Sequence, residues 1–348
     1  MTMYAGIGWS ERGFDLACCT AGGEATMPVE HYPAGQVREL TSRLLDLQRL
    51  QDTLICVVES TNGMLDGAFN AAGLTVYRAD PSSLPPRPAL ASVDAQSLAR
   101  AAATRPSELT PVTIRGGSLT GREPDYDRDV ETRSEALGTL LQEGRFLPDA
   151  SAAGTDRVVA LTFDDGPNPP WTNRILDVLD RYAVPATFFC VGLHAIGFTE
   201  EVARMAEAGH CLGNHTWSHP FLHDVSDNEL EVQLNRTEEA LEQAAGVAGS
   251  RLFRPPYGSG SSATFRWVRR SEAFKVVFWD VDTNDWAMPG APAIADAVVS
   301  QTRPGSIVLM HDGGGDRSQT AEALPAAIEG LLERGYRFVR VDQMNGHQ

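Results

Sequence analysis

Val158-Val159-Ala160-Leu161-Thr162-Phe163-Asp164-Asp165-Gly166-Pro167 runs six largely apolar residues straight into two carboxylates and then a Gly-Pro stop. This is the pattern of a buried strand that ends in an acidic turn. Asp164 and Asp165 therefore stand at a strand's C-terminal tip. Adjacent carboxylates repel unless a cation or a shared proton separates them, which points to a metal or a proton-transfer role. A solvated Asp-Asp-Gly turn accounts for the same residues, and the chain downstream decides between the two.

From Val158 onward strand, turn and helix alternate almost to the end. VVALTF leads to a helix from Thr172 to Tyr182, ATFFCV to one from Glu200 to Ala208, and CLGNH to one from Asn228 to Ala245. RLF, past RPPYGSG, leads to Ala263–Glu272, KVVFWDVD to Ala291–Gln301, and SIVLM to Ala321–Arg334, with a last strand from Arg337 to Val341. β-rich segments separated by amphipathic helices imply a parallel sheet, and this regularity predicts a distorted (β/α)7 barrel. The polar residues respect its strand ends. Asp164 and Asp165 follow the first strand, His215 and His219 the third, Arg254 and Tyr257 the fourth, Asp282 to Trp286 the fifth, and His311 and Asp312 the sixth. In a parallel barrel these tips meet on one rim, where such folds place their active sites. In HTWSH two imidazoles stand four residues apart and can face one ion, and with Asp165 they make a His-His-Asp set that leaves room for water or substrate. No Glu follows His215, which excludes the zinc-protease helix pattern.

TFDDGP, NHTWSH, RPPYG, DTNDW and IVLMH, in this order and spacing, resemble the five motifs of the polysaccharide deacetylases, the chitooligosaccharide-deacetylase-like carbohydrate esterases of family four. The resemblance spans residues 155–342. It implies metal-dependent hydrolysis of N-acetyl, sometimes O-acetyl, groups on amino-sugar substrates. By motif position it makes Asp164 the general base, Asp165, His215 and His219 the metal ligands, and His311 the general acid. Asp285 would orient His311 and raise its pKa, and Arg254 would help keep Asp164 ionised. The backbone N–H of Tyr257 would supply an oxyanion donor, typically worth about 3 kcal/mol. Trp286, Leu309 and Pro255 match the acetyl pocket. A divalent ion, zinc by default for mixed His and carboxylate ligands, would polarise the carbonyl and acidify a water. Arg254 could instead pair with Asp282 at the core edge, Asp312 could cap the next turn, and His31, His194, His210 and His223 read as structural or solvated.

The front of the chain, to about Pro88, also alternates strand and helix signals. Two strands span Met3–Cys19 around a turn at Ser10–Arg12, followed by a helix at Val37–Leu50, a strand at Leu54–Val58, a short helix at Met64–Ala72, a strand at Leu74–Tyr77 and, past a Pro-rich break, a helix at Val93–Ala103. GIGWSERGFDLACC, VVEST, YRADP and ASVDAQSLARAA, within residues 4–104, resemble the ribonuclease-H-like domain of four-acid transposases. Glu59 and Asp94 match acidic positions of that family, but Gly8 and Ala91 replace the other two. The expectation is a catalytically dead scaffold or docking module, through which copies of the chain could associate. The domains then read as 1–104, a connector at 105–154 with a short helix at Glu131–Glu143, and 155–348.

Composition bounds the partners. A net charge of −17 over 348 residues, with Lys275 the single lysine, argues against nucleic acid. Cys18, Cys19, Cys56, Cys190 and Cys211 have no metal spacing and read as reduced thiols. The N-terminus lacks a signal-peptide pattern and no apolar run is long enough for a span, so the expectation is a cytoplasmic protein without a membrane partner. Two alternatives stand beside the deacetylase reading: the same metal centre acting on a cyclic imide or ureide, and a non-catalytic carbohydrate-binding barrel.

Overall fold

The computed structural model describes residues 2–59, 65, 68–70, 72–79, 84–88, 90–115, 118–120, 157–222, 225–258 and 273–344. Its first sheet contains β1 (Thr2–Ser10), β2 (Gly13–Thr20), β3 (Glu30–Pro33), β4 (Thr53–Glu59), β5 (Val76–Ala79), β6 (Leu109–Arg115) and β7 (Ser118–Thr120), in the order 3-2-1-4-5-6-7. β4 and β5 run parallel to β1 and the other pairings are antiparallel. Helix α1 (Val37–Leu50) buries Leu40, Leu44 and Leu47, the spacing of one helix face. Helix α2 (Ala95–Thr104) covers β1 so closely that a Cβ on Gly6 would lie 2.1 Å from the Ala95 carbonyl. Cys18 and Cys19 point to opposite sides of β2, into two separate apolar clusters. β6 and β7 come from the stretch that read as connector, so the front sheet runs on past residue 104. The helices expected at Glu131–Glu143 and Ala263–Glu272, and His223, lie outside the described residues.

The second sheet is a curled parallel half-barrel built on β8 (Val158–Asp164). β14 (Ser306–His311) pairs along one edge of β8. The other edge is shared by β9 (Thr187–Cys190) at its C-terminal half and β15 (Arg337–Phe338) at its start. Outward from β9 follow β10 (Cys211–Asn214), β11 (Leu252–Phe253) and β12 (Lys275–Val276); outward from β14 lies β13 (Val281–Asp282). KVVFWDVD is therefore not one strand. Its first residues pair with β11 and its last with β14, so this single segment crosses between the two edges of the sheet. The distorted barrel expected from the sequence is an open curl, with residues 277–280 running between its two edge strands.

Among the described residues of this part, the α-helices are α3 (Trp171–Tyr182), α4 (Gly192–Gly197), α5 (Thr199–Glu207), α6 (Asp227–Ala245), α7 (Ala291–Gln301) and α8 (Ser318–Glu333). Helix α6 starts on a reciprocal cap between Ser226 and Glu229 and stops at Gly246, whose φ of 68° suits a residue without a Cβ. The front part meets the second sheet's layer at the turn after β8, at the end of α4 and on α6. The Arg38 guanidinium donates to the Pro169 carbonyl, Gly35 and Gly197 meet backbone to backbone, and Glu11 pairs with Arg236 at 3.2 Å. No helix among the described residues is long and apolar enough to cross a membrane.

Candidate active site

Strand register brings the acidic turn and the last histidine together. Asp164 ends β8 directly opposite His311 at the end of β14, and Asn214, one residue before His215, lies level with Cys190 and Phe253 on its neighbours. The turns beyond these tips are sharp. Asp165 (φ 73°), Thr216 (φ 68°), His219 (φ 57°) and Tyr257 (φ 60°) all occupy the left-handed region that residues with a Cβ avoid. Such strain collects at functional sites because the surrounding contacts impose it.

The imidazoles of His215 and His219 converge on one oxygen, Asp165 Oδ1, with Nε2 atoms at 3.3 and 3.1 Å. His215 Nδ1 donates to the Arg254 carbonyl at 2.7 Å, so in the neutral ring Nε2 carries a lone pair facing that carboxylate. Asp165 Oδ1 is buried and makes no hydrogen bond among the described residues. Acceptors aimed at one point in a buried site call for a cation, and among the described residues this triad is the group of His, Cys, Asp and Glu able to hold one. Burial by itself would raise the Asp165 carboxyl; the imidazoles of His219 and His215 overcome it and hold the group well below the usual range.

Two buried carboxylates flank this triad. Asp164 Oδ1 accepts from Arg254 Nη1 at 2.7 Å, and the same nitrogen donates to Thr162 Oγ1 at 2.7 Å. Arg254 is completely buried and also reaches the carbonyls of Val277 and Phe278, tying the crossing segment to the centre of the sheet. Its partner is Asp164, not Asp282, which accepts from Trp279 Nε1 and the Asn284 N–H instead. Asp285, also fully buried, accepts from His311 Nδ1 at 2.7 Å, from the His311 backbone N–H at 2.9 Å and from Thr320 Oγ1 at 2.7 Å. Burial lowers the His311 imidazole, but Asp285 prevails and lifts it to about 9. His311 Nε2 is then the nitrogen able to exchange a proton.

Leu309 is buried two residues before His311 on the same face of β14, Pro255 is buried, and Trp286 is half-buried beside Asp285. Tyr257 stacks on Phe221 with centroids 4.3 Å apart and meets His219 edge-on at 4.5 Å. Among the described residues Glu59 and Asp94 form no second centre. Glu59 accepts from the Val93 N–H and pairs with Arg87, while Asp94 caps α2 by accepting from the Ser97 N–H.

The sequence profile of the polysaccharide deacetylase family matches residues 151–277. Over 190 residues the chain is 38% identical to a peptidoglycan-N-acetylglucosamine deacetylase of Bacillus cereus, covering 54% of this chain and 88% of that protein. The chain belongs to the polysaccharide deacetylase family. It is accordingly a hydrolase of carbon–nitrogen bonds other than peptide bonds and a carbohydrate esterase. A chitooligosaccharide deacetylase of Sinorhizobium fredii is 40% identical over 188 residues, covering 51% of this chain and 87% of that one. A crystal structure of a peptidoglycan N-acetylglucosamine deacetylase with a bound N-hydroxybenzamide superposes with a TM-score of 0.53 at 39% identity, over 56% of this chain and 90% of that one. The profile match lies wholly outside residues 4–104, and the ribonuclease-H-like resemblance there draws no support from it.

Sequence reasoning passed over three contributors to this deacetylase site. His194 Nδ1 donates to the Asp165 carbonyl at 2.7 Å and so holds the turn that carries the triad's carboxylate. Asp312 does not cap the turn after it. It accepts from Thr172 Oγ1 at 2.6 Å across the sheet, and burial, with Asp164 and Asp165 nearby, lifts it to about 7. Thr320 fixes the second oxygen of Asp285. Only the Gly313–Gly315 run hinted at close backbone approach, and a Cβ on Gly313 would stand 2.1 Å from the Asp165 carbonyl.

Proposed function

We propose that this protein is a metal-dependent hydrolase that removes N-acetyl groups from an amino-sugar-containing substrate and releases acetate. The observation that carries the reading is the convergence of His215 and His219 on Asp165 Oδ1 between two differently wired groups, Asp164 with Arg254 and His311 with Asp285. Asp165, His215 and His219 would hold a divalent ion, zinc in the first instance; when bound, it supplies Lewis acidity to the acetyl carbonyl and to water.

The chain's own residues do the rest. Asp164, oriented by its hydrogen bond from the Arg254 guanidinium, takes a proton from the attacking water. The Tyr257 backbone N–H donates to the oxygen that gains charge as the carbonyl carbon becomes tetrahedral. His311, held by Asp285 with its proton available on Nε2, delivers it to the departing amine, which could not leave as an anion. Trp286, Leu309 and Pro255 wall the acetyl methyl group and favour small acyl groups. The relatives named for peptidoglycan and chitooligosaccharides point to N-acetylglucosamine-containing glycans as the first substrates to try.

The barrel, residues 155–348, carries this chemistry in our reading, and the front domain is a degenerate ribonuclease-H-like scaffold. Its strand order 3-2-1-4-5, with β4 and β5 parallel to β1, supports that assignment, as do the structural uses of Glu59 and Asp94. The test is metal analysis of the purified protein followed by acetate release from N-acetylated sugars and oligosaccharides. Full activity in the rigorously metal-free protein would overturn the proposal.

A further inference from the structure

The front domain reaches the catalytic turns through two arginines. On β5, the Arg78 guanidinium lies over the Phe221 ring, 4.9 Å from its centroid. Phe221 is 3% exposed and stacks on Tyr257, whose ring meets His219 edge-on. A few residues further on, Arg87 joins the buried Glu59 of β4, at 2.9 Å, to Glu229 in the first turn of α6, at 3.3 Å. The segment that leaves the HTWSH turn is thus held by front-domain cations both at Phe221 and at Glu229.

This arrangement bears on one strained residue. Tyr257 has φ 60° and ψ 7°, a conformation that is costly for a residue with a Cβ and that surrounding contacts must hold. The ring stacked on it is Phe221, and the Phe221 ring is in turn engaged by Arg78. A guanidinium over an aromatic face is attracted to the ring's quadrupole, more strongly when both are shielded from water. Glu59, at the acidic position kept from the transposase pattern, serves as the buried anion that receives the second arginine.

We propose that Arg78 is a positioning residue of the deacetylase: it holds Phe221 against Tyr257 and thereby keeps the Tyr257 backbone N–H aimed at the developing oxyanion. The inference rests on the proposed function and extends it, because it makes the front domain part of the catalytic apparatus. Removing the guanidinium leaves substrate contacts and the metal triad intact but lets the Tyr257 turn relax. Turnover then falls while substrate affinity holds.

The experiment compares Arg78→Gln, which keeps length and polarity without charge, with Arg78→Lys, which keeps a cation. In the zinc-loaded protein acting on N-acetylglucosamine oligomers, Arg78→Gln should lower kcat by about fivefold to thirtyfold, the span from an exposed to a shielded cation–π contact, with KM and zinc content unchanged. Arg78→Lys should recover most of the loss, and Phe221→Leu should reproduce it. Amide exchange of the 252–258 segment, measured on metal-free protein, should quicken in Arg78→Gln and Phe221→Leu and stay native in Arg78→Lys. Native kcat and exchange in Arg78→Gln, or equal impairment of the Gln and Lys variants, would overturn the proposal. A wild-type protein that releases no acetate would remove the proposed function instead, and the exchange comparison would still decide whether Arg78 fixes the Tyr257 turn.

Discussion

Replacing Asp285 by Asn acts first on the proton of His311. The carboxylate lifts His311 to about 9 against a burial effect that pulls the ring below its ordinary 6.5. Without that charge the imidazole titrates at 6.5 or lower. At pH 8 a group titrating near 9 is about 90% protonated and one titrating at 6.5 about 3%, so the supply of general acid falls about thirtyfold. A nearby divalent ion lowers both values, and the gap between wild type and variant remains. Geometry adds to the loss. Asp285 Oδ2 accepts from both the His311 N–H and Thr320 Oγ1, so an amide nitrogen placed there would face two donors. The assay is kcat/KM for acetate release against pH. The basic limb should move to lower pH by about two units or more, with the acid limb in place. The linkage also acts on folding of the metal-free protein. Since the folded value lies above the ordinary one, the contribution of His311 is complete below pH 6.5 and disappears as pH rises through about 9. It amounts to about 3 kcal/mol, is absent from Asp285→Asn, and is readable in urea titrations at pH 6 and 9.5. Identical basic limbs in the two proteins would refute the assignment of His311 as the acid that Asp285 tunes.

Asp164→Asn should retain stoichiometric metal by elemental analysis and lose turnover by about three orders of magnitude, whereas His215→Ala should lose both. Gly313→Ala places a methyl group against the Asp165 carbonyl, and should cost about 1–3 kcal/mol in denaturant titration and weaken metal retention. Arg87→Ala withdraws the guanidinium from beside buried Glu59 and should destabilise by about 3 kcal/mol, read in the same titration, without creating nuclease activity on supercoiled DNA.

Periodicity made most of the barrel legible before any coordinates. The VVALTF run, the amphipathic helices and the Gly stops report burial and local backbone preference, which are properties of neighbouring residues in the chain. KVVFWDVD misled for the same reason. Five of its eight residues are apolar, enough to read as one strand, and nothing local says that β11 claims one end and β14 the other. The stretch after residue 104 read as connector because Pro and polar residues dominate it, yet as part of an antiparallel extension of the front sheet it needs no continuous apolar run. In the site, Asp165 and the two imidazoles were recognisable from residue type and spacing. For Arg254 the family resemblance offered Asp164 and residue type alone offered Asp282, and the choice between them depends on which strands lie side by side.

Residue order alone determined the chemistry on offer: an acidic turn at a strand tip, two histidines four residues apart, and a late histidine with a carboxylate upstream. Tertiary structure alone decided how those groups are wired. It chose Asp164 over Asp282 for Arg254, closed Asp285 on His311, and set His194 behind the Asp165 turn and the front domain's Arg78 and Arg87 on the segment leading away from His215 and His219. Charges and hydrogen bonds act over a few ångströms, and positions separated by tens to more than a hundred residues come within that range only when strand register and helix packing have placed them.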